Sequence, residues 1–184
     1  VYHVDCGKYF YMNNTDGRKL SEQGFEESLR MFFDNGETFC CELICCFIRK
    51  LKAVLNVMEK DLCSYRFYNS SLLLVYEGEV AGYSQKGKTN CFVNPSDSHS
   101  THDASLEQCT CECTSEQMDI RMIDFAHVSR DDSHTDKSSC NTCPDKGYIF
   151  GLKSLIRILR KVQKGHHQKK ILDCVLRDNV ERDS

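Results

Sequence analysis

A single carboxylate in the second half of the chain offers the most informative chemistry of this sequence. Asp124 ends an apolar run, in the segment Arg121-Met122-Ile123-Asp124-Phe125-Ala126-His127. A carboxylate at the point where a buried strand leaves its sheet is placed to hold a divalent cation that bridges nucleotide phosphates. The alternative is that Asp124 is only a turn residue that ends the strand. The pattern therefore predicts a metal ligand and leaves a purely local role open.

Residues 82–89 form a second candidate phosphate site, because they match the phosphate-loop pattern G-x-x-x-x-G-K-[ST] letter for letter. In such a loop, backbone N–H groups at a helix N-terminus bind the phosphates, so a strand must precede the motif and a helix must follow it. Residues 90–96 start no helix. The match is therefore interpreted as coincidence, and Lys88 is the residue that would carry the alternative, a phosphate-loop NTPase.

Cysteine is abundant, with 13 in 184 residues. An odd number cannot all pair within one chain, and the four cysteines between residues 40 and 46 lie in a segment of helical periodicity, where a free thiol acts as a small buried hydrophobe. Reduced thiols are therefore favoured. A zinc site is the alternative for a second group, although its spacing fits no common zinc motif. That group is Cys109, Cys111, Cys113, Cys140 and Cys143 with His99, His102 and His134.

A basic run near the C-terminal end could also bind a ligand. Residues 146–172 contain eight Lys or Arg residues and no Asp or Glu. On an amphipathic helix this composition is typical of a solvated face, which is the favoured interpretation. A surface that binds a polyanion is the alternative.

Two predicted strands must position Asp124. Residues 65–76 are a short apolar run that predicts a buried strand, and residues 118–125 predict another. Residues 79–117 between them are polar and are predicted to be a disordered insertion. Because lengthening a loop costs little free energy, the two strands are expected to pair as a hairpin.

Three helices are predicted around these strands. The first begins after the N-cap Ser21 and ends at Asn35-Gly36, and the second and longest runs from Glu37 to about Asp61. The third follows Pro144, with Gly165 as its C-cap. The other predictions are a short strand or hairpin over residues 1–11, a turn over residues 13–17 and a charged tail over residues 166–184.

Composition limits the possible functions. With 40% apolar and 28% charged residues the chain is typical of a globular domain, and a net charge of −3 gives no whole-chain attraction to nucleic acid. No run approaches the roughly 18 apolar residues of a membrane span, and residues 1–5 do not resemble a signal peptide. We therefore expect an intracellular protein, cytoplasmic, nuclear or both, that does not bind nucleic acid and does not span a membrane.

Three blocks, in the same order along the chain, resemble the inositol polyphosphate kinase family. They are Ser70-Ser71-Leu72-Leu73, Ile123-Asp124-Phe125-Ala126-His127 and Gly147-Tyr148-Ile149-Phe150-Gly151-Leu152. Five further blocks, from Asp5-x-Gly7-x-Tyr9 to Arg130-Asp131-Asp132, are most similar to the inositol hexakisphosphate kinases. By contrast, Val75-Tyr76-Glu77-Gly78, His127-Val128 and Gly151-Leu152-Lys153 resemble the inositol polyphosphate multikinases. The resemblance covers nearly the whole chain except the insertion and the tail.

This resemblance implies an α+β, kinase-like fold in which residues 1–184 form part of the kinase domain, the C-terminal lobe, with a small antiparallel sheet packed on helices. It implies transfer of a phosphoryl group from ATP, with Mg²⁺, to an inositol polyphosphate, and inositol hexakisphosphate with a diphosphoinositol product is the expected reaction. The family's signature P-x-x-x-D-x-K-x-G and its N-terminal lobe are not found. The chain is therefore expected to carry only the metal-binding half of the active site.

The resemblance also assigns roles to residues. Asp124 resembles the family's metal ligand at the nucleotide, and Leu72 or Leu73 together with Ile123 resemble the apolar surface beneath adenine. His127 resembles the residue close to the inositol phosphate. The residue that activates the acceptor is not assigned, and no protein partner is indicated. The alternatives are a multikinase-like activity and a non-catalytic fragment or interaction module.

Overall fold

The computed structural model describes residues 1–3, 5–77, 118–130 and 144–182, with side chains in the last helix described to residue 169 and at Leu172. The predicted insertion at residues 79–117 lies outside these ranges. In chain order the described elements are β1 (Tyr2–His3), β2 (Lys8–Tyr9), α1 (Asn14–Gly17), α2 (Glu22–Phe32), α3 (Cys41–Lys60), β3 (Tyr65–Phe67), β4 (Ser71–Tyr76), β5 (Met118–Ile123), β6 (Val128–Arg130) and α4 (Lys146–Arg182).

The chain divides into two compact units. The first comprises Val1–Ile44 with Phe150–Ser184, and the second comprises Cys45–Ile149. The boundary falls within α3 and within α4, so each of these helices supplies residues to both units. Fully buried apolar side chains include Phe33, Leu43, Ile44, Leu152, Leu159 and Val162 in the first unit, and Phe47, Leu51 and Met58 in the second.

The predicted N-terminal hairpin and the first predicted N-cap are confirmed. β1 pairs antiparallel with β2, with Tyr2 opposite Tyr9. Ser21 caps α2 because its Oγ accepts a hydrogen bond of 3.1 Å from the backbone N–H of Gly24, a donor that the first turn of a helix would otherwise leave unpaired. The predicted turn at residues 13–17 is instead one short helix, α1, capped by Asn13.

The helix predicted to be the longest begins at Cys41 and not at Glu37, and its 20 residues are fewer than the 37 of α4. The Oδ1 atom of Asn35 accepts hydrogen bonds from the backbone N–H groups of Glu37, at 3.0 Å, and Thr38, at 2.7 Å. Asp34 also forms a β-bridge with Phe39. These bonds hold the backbone before residue 40 in a turn, since a local side-chain acceptor competes with the helix for its N–H groups.

The prediction that Gly165 ends the last helix is wrong, because α4 continues to Arg182. Gly165 lies against the guanidinium group of Arg30 on α2. A Cβ atom built on this glycine would overlap Nη2 of Arg30 and lie 3.2 Å from its Cζ. Arg30 also donates a 3.4 Å hydrogen bond to the carbonyl oxygen of Val162. The glycine therefore provides room for a neighbouring side chain and does not terminate the helix.

The hairpin predicted around the insertion is confirmed as an antiparallel pair of β4 and β5, in which Ser71 lies opposite Ile123 and Tyr76 lies opposite Met118. The single strand predicted over residues 65–76 is wrong. It is two strands in two different sheets, since β3 pairs with β6. The break falls at Asn69, whose φ of 58° turns the backbone out of the extended conformation.

Candidate active site

The candidate site lies where the chain passes from one two-stranded sheet to the other. Asn69 makes this passage between β3 and β4, and Asp124 makes it between β5 and β6. Their φ angles are 58° and 66°, and they are the two non-glycine residues with positive φ in the described ranges. Asparagine and aspartate adopt this left-handed conformation more readily than other side chains, which explains their types at these two positions.

Residues 124–127 form a short connection that is held at both ends, and we call it the Asp124 connection. β5 ends immediately before it and β6 begins immediately after it. The backbone carbonyl oxygen of His127 accepts a 3.0 Å hydrogen bond from the N–H of Tyr68. The Asp124 connection is therefore bonded to the turn that contains Asn69, between β3 and β4. The side chains of the connection lie on the surface.

The Asp124 carboxylate is available to a ligand. The side chain is exposed, and the structure records no hydrogen bond or ion pair from it to another described residue. His127 is also exposed, three positions further along the same connection. Both residues thus lie where a ligand could reach them, and their roles in metal and substrate binding stay predictions.

An apolar surface adjoins Asp124 on the outer face of the β4–β5 pair. Directly opposite residues of an antiparallel pair point to the same side of the sheet, so Leu73, Val75 and Ile123 share one face. Their side chains are 43%, 49% and 39% exposed. Leu72 points to the other, half-buried face. The register therefore places Leu73, and not Leu72, beside Ile123, while their contact with a nucleotide stays a prediction.

The strand at residues 71–76 is consequently not buried as its sequence predicted. Its residues alternate between exposed and half-buried, because only one face of the two-stranded sheet is covered. A run of four apolar residues cannot show this, since the same sequence also suits a strand that is covered on both faces. The exposed face of this strand is therefore a candidate binding surface.

Charged side chains fix the other end of this outer face. Nε of Arg121 donates a 2.7 Å hydrogen bond to Asp119, and Nζ of Lys50 on α3 lies 3.3 Å from the same carboxylate. These two bonds lower the pKa of Asp119 to about 2, and the bond from Arg121 has the larger effect. Asp119 is therefore ionised at neutral pH and holds the Arg121 side chain. The sequence pattern does not identify Lys50, because no local motif links it to Asp119, which is 69 positions away.

Behind the connection, Asp145 joins the first turn of α4 to β3. Its Oδ1 accepts a 2.9 Å hydrogen bond from the N–H of Tyr148, and its Oδ2 accepts a 2.9 Å hydrogen bond from the N–H of Phe67. The Phe67 ring contacts the rings of Phe125, at 6.4 Å between centroids, and Tyr148, at 5.7 Å. An aspartate directly before a predicted helix is the one sequence signal that could have found this residue.

The hydroxyl groups of Ser70 and Tyr148 are buried beside this junction. Neither makes a hydrogen bond of standard geometry to a described residue. Burial raises the pKa of Tyr148, and Ser70 lies close enough to oppose that rise in part. Ser70 thus belongs to the interior of the second unit, whereas Ser71 is exposed opposite Ile123.

The donor set suits magnesium better than zinc. Over the described ranges there is no group of three or more His, Cys, Asp or Glu side chains placed to hold a metal ion, so these residues do not supply the ligand set of a structural zinc site. Mg²⁺ is often held by one or two carboxylates together with substrate phosphates and water. A single exposed carboxylate therefore fits Mg²⁺ if a phosphate ligand is bound beside it.

The other candidate sites are less informative. The phosphate-loop match with Lys88 and the eight cysteines and histidines of the zinc alternative lie outside the described residues. The six cysteines with described side chains form no disulfide bond with one another. In the basic run, Arg157 and Lys161 form ion pairs with Glu22, as expected of a solvated helix face. The alternative, a surface that binds a polyanion, stays a prediction. No helix of the described part is long and apolar enough to cross a membrane.

Comparisons with known proteins agree with the sequence resemblance. The family model described as inositol polyphosphate kinase matches residues 1–160. Inositol hexakisphosphate kinase 3 of Homo sapiens is 36% identical over 165 residues, which are 90% of this chain and 38% of that protein. Inositol hexakisphosphate kinase 2 of Oryctolagus cuniculus is 37% identical over 168 residues, which are 89% and 38% of the two chains. The chain thus spans less than two fifths of these relatives.

A solved structure supports the fold. The inositol phosphate multikinase of S. cerevisiae, crystallised with ADP and Mn²⁺, matches with a TM-score of 0.53 and 20% identity, over 88% of this chain and 54% of that one. Identity at this level is evidence for the fold alone. With the helices and small antiparallel sheets described above, it confirms the predicted α+β class.

Proposed function

Because the chain belongs to the inositol polyphosphate kinase family, we propose that it supplies the metal-binding part of a site that transfers the γ-phosphoryl group of ATP to an inositol polyphosphate. Inositol hexakisphosphate is the proposed acceptor, since the relatives that are 36% and 37% identical are inositol hexakisphosphate kinases. A phosphate oxygen of the acceptor would then bond to the γ-phosphorus while ADP leaves, which gives a diphosphoinositol product.

One observation carries this proposal: Asp124 presents a carboxylate that pairs with no other described residue, on a short connection that is anchored at both ends. Phosphoryl transfer depends mainly on positioning and on charge stabilisation. Bound Mg²⁺ would supply charge neutralisation between this carboxylate and the phosphate oxygens. The anchored backbone keeps the carboxylate in place, so little ordering entropy is lost when a ligand binds.

The outer face of the β4–β5 pair is the proposed platform for adenine. Leu73 and Ile123 give it an apolar surface next to Asp124, and apolar surface is the usual lining of a nucleotide-sized site. His127 is the proposed contact for the acceptor. Its exposed imidazole can donate a hydrogen bond from N–H to a phosphate oxygen, on the same connection as the proposed metal ligand.

Two alternatives remain in view, each with its own support. A multikinase-like acceptor range is supported by the motifs at residues 75–78 and 151–153. A non-catalytic interaction module is supported by the basic run at residues 146–172, a face that could bind a partner. Incubation of the 184-residue chain with labelled ATP, Mg²⁺ and a panel of inositol phosphates tests these alternatives. Any transfer would contradict the non-catalytic module, and the preferred acceptor, hexakisphosphate or a lower phosphate, distinguishes the proposal from the multikinase alternative.

Substitution of Asp124 tests the metal role directly. Asp124→Asn keeps the side chain's size and its tolerance of positive φ, so the melting temperature should stay nearly unchanged. Affinity for the Mn²⁺–ADP complex, measured by calorimetry, should fall at least about tenfold, and any phosphoryl transfer should fall by several orders of magnitude. Asp61→Asn, the same charge change at an exposed residue after α3, is the matched control. Equal affinity of Asp124→Asn and wild type would remove Asp124 from the mechanism.

A further inference from the structure

We propose that Asp145 is a positioning residue, which sets the geometry of the Asp124 connection from the N-terminus of α4. This inference rests on the proposed function, since it concerns how the proposed metal ligand is held. The hydrogen bonds of the Asp145 carboxylate to described residues go to Phe67 and Tyr148 and not to Asp124. Asp145 acts through β3.

The first step of the argument is that both carboxylate oxygens of Asp145 are engaged. Only 9% of the residue is exposed, so its charge is largely removed from water and depends on these bonds. Oδ1 accepts from the N–H of Tyr148 and caps α4, while Oδ2 accepts from the N–H of Phe67, both at 2.9 Å. A cap needs only the first of these bonds.

The second step is that β3 lies between Asp145 and the Asp124 connection. On one side β3 pairs with β6, where Phe67 lies opposite Val128, the residue directly after the connection. On the other side, the N–H of Phe67 donates to the Asp145 carboxylate. The carboxylate takes the place of the backbone acceptor that a further strand would provide. The position of β3 therefore depends on β6 from one side and on Asp145 from the other.

The third step is that β3 and the residue directly after it contact the connection at two points. The Phe67 ring packs edge-to-face against Phe125, the residue after Asp124. The N–H of Tyr68 donates to the carbonyl oxygen of His127, at 3.0 Å. Loss of the Asp145–Phe67 bond would therefore loosen both ends of the segment that carries Asp124 and His127.

A serine substitution separates positioning from capping. Serine is as good an N-cap as aspartate, but its shorter side chain carries one oxygen and cannot bond both N–H groups. Asp145→Ser should therefore keep α4 and most of the melting temperature. We expect it to weaken Mn²⁺–ADP binding about tenfold, the usual cost of losing a residue that orients a metal ligand. Wild-type affinity in Asp145→Ser would overturn the proposal.

A double-mutant cycle supplies the readout that a general loss of stability would not give. If Asp145 acts through Asp124, the variant with both Asp124→Asn and Asp145→Ser should bind Mn²⁺–ADP no more weakly than Asp124→Asn alone. Additive losses would mean that Asp145 acts independently of the proposed metal ligand and would overturn the inference.

Hydrogen exchange in the ligand-free chain separates this inference from the proposed function. Asp145→Ser should raise the exchange rates of the Phe67 and Tyr68 amides, while amides in the middle of α3 exchange as in wild type. If wild type fails to bind Mn²⁺–ADP, the proposed function fails, yet these rates still decide whether Asp145 positions the connection. Unchanged exchange at both amides would overturn it.

Discussion

Asp124 combines two properties that are usually in conflict at one residue. Its side chain is exposed and unpaired with other described residues, as a ligand-binding carboxylate must be, while its backbone is held at a φ of 66°. A left-handed conformation costs most L-residues about 1–2 kcal/mol, and aspartate less than most. The residue is therefore favoured by the turn as well as by the proposed chemistry, so stability and binding measurements have to be made separately.

Asp124→Gly and Asp124→Ala separate these two contributions. Glycine adopts positive φ freely, so Asp124→Gly should leave the free energy of unfolding unchanged or raise it by up to about 1 kcal/mol. Asp124→Ala should lower it by about 1 kcal/mol, because alanine is strained at this φ. Denaturant unfolding measures both. Calorimetry with Mn²⁺–ADP should show weak binding in each, and normal binding by either variant would contradict the metal role.

At the scale of elements, each unit uses side chains to join parts that are distant in sequence. In the first unit, Glu22 at the start of α2 accepts hydrogen bonds of 2.8 Å from both Nη atoms of Arg157 on α4 and one of 2.5 Å from Lys161. These bonds, led by that from Arg157, lower the pKa of Glu22 to about 2, from an ordinary value of 4.5. A glutamate in the first turn is also favoured by the helix dipole.

The low pKa of Glu22 gives a pH prediction with a definite sign. A carboxylate whose pKa is depressed by folding contributes stability that is present above about pH 5 and is lost as the pH falls toward 2. Wild type should therefore lose stability more steeply than Glu22→Gln across this range, in chemical unfolding at successive pH values. Because the residues are exposed, added salt should shrink the difference.

Glu27→Gln is the control for this experiment. Glu27 lies on the same helix and is 71% exposed at its side chain, and its contact with Arg30 is long, at 3.9 Å. Its substitution should leave the acid dependence of stability close to that of wild type. Similar slopes for Glu22→Gln and wild type would show that the ion pair of Glu22 with α4 contributes little to folding.

At the scale of the whole molecule, four of the six described cysteines serve as interior packing. Cys40, Cys41, Cys45 and Cys46 are buried, whereas Cys6 is exposed. Burial, with a smaller effect from the charges of Glu42 and Asp34, raises the pKa of Cys40 to about 11. A thiol with this pKa holds little thiolate at neutral pH, and thiolate is the reactive form.

Alkylation should follow this distribution. In native protein near pH 8, iodoacetamide should modify Cys6 rapidly and Cys40 very slowly, because Cys40 is both buried and protonated. Peptide mass spectrometry over a time course measures each site. In denaturant the two rates should become similar. Rapid native modification of Cys40 would show that the start of α3 opens readily.

Much of the fold follows from sequence patterns that act over a few residues. Apolar spacing predicted the helices and the β4–β5 pairing, and Ser21 was identified as a cap, because helix caps and strand periodicity depend on near neighbours. Asp124 was likewise identified from its place at the end of an apolar run. Its proposed role comes from the resemblance to the kinase family together with this position.

The tertiary structure alone decided which of these residues meet. It separated residues 65–76 into two strands, placed Leu73 and not Leu72 beside Ile123, and extended α4 past Gly165. It also joined Asp145 to Phe67 across 78 positions of sequence. Each outcome depends on a contact with a distant segment, and the local sequence suits the alternatives nearly as well. Local free energies fix the elements, whereas long-range packing fixes their faces and partners.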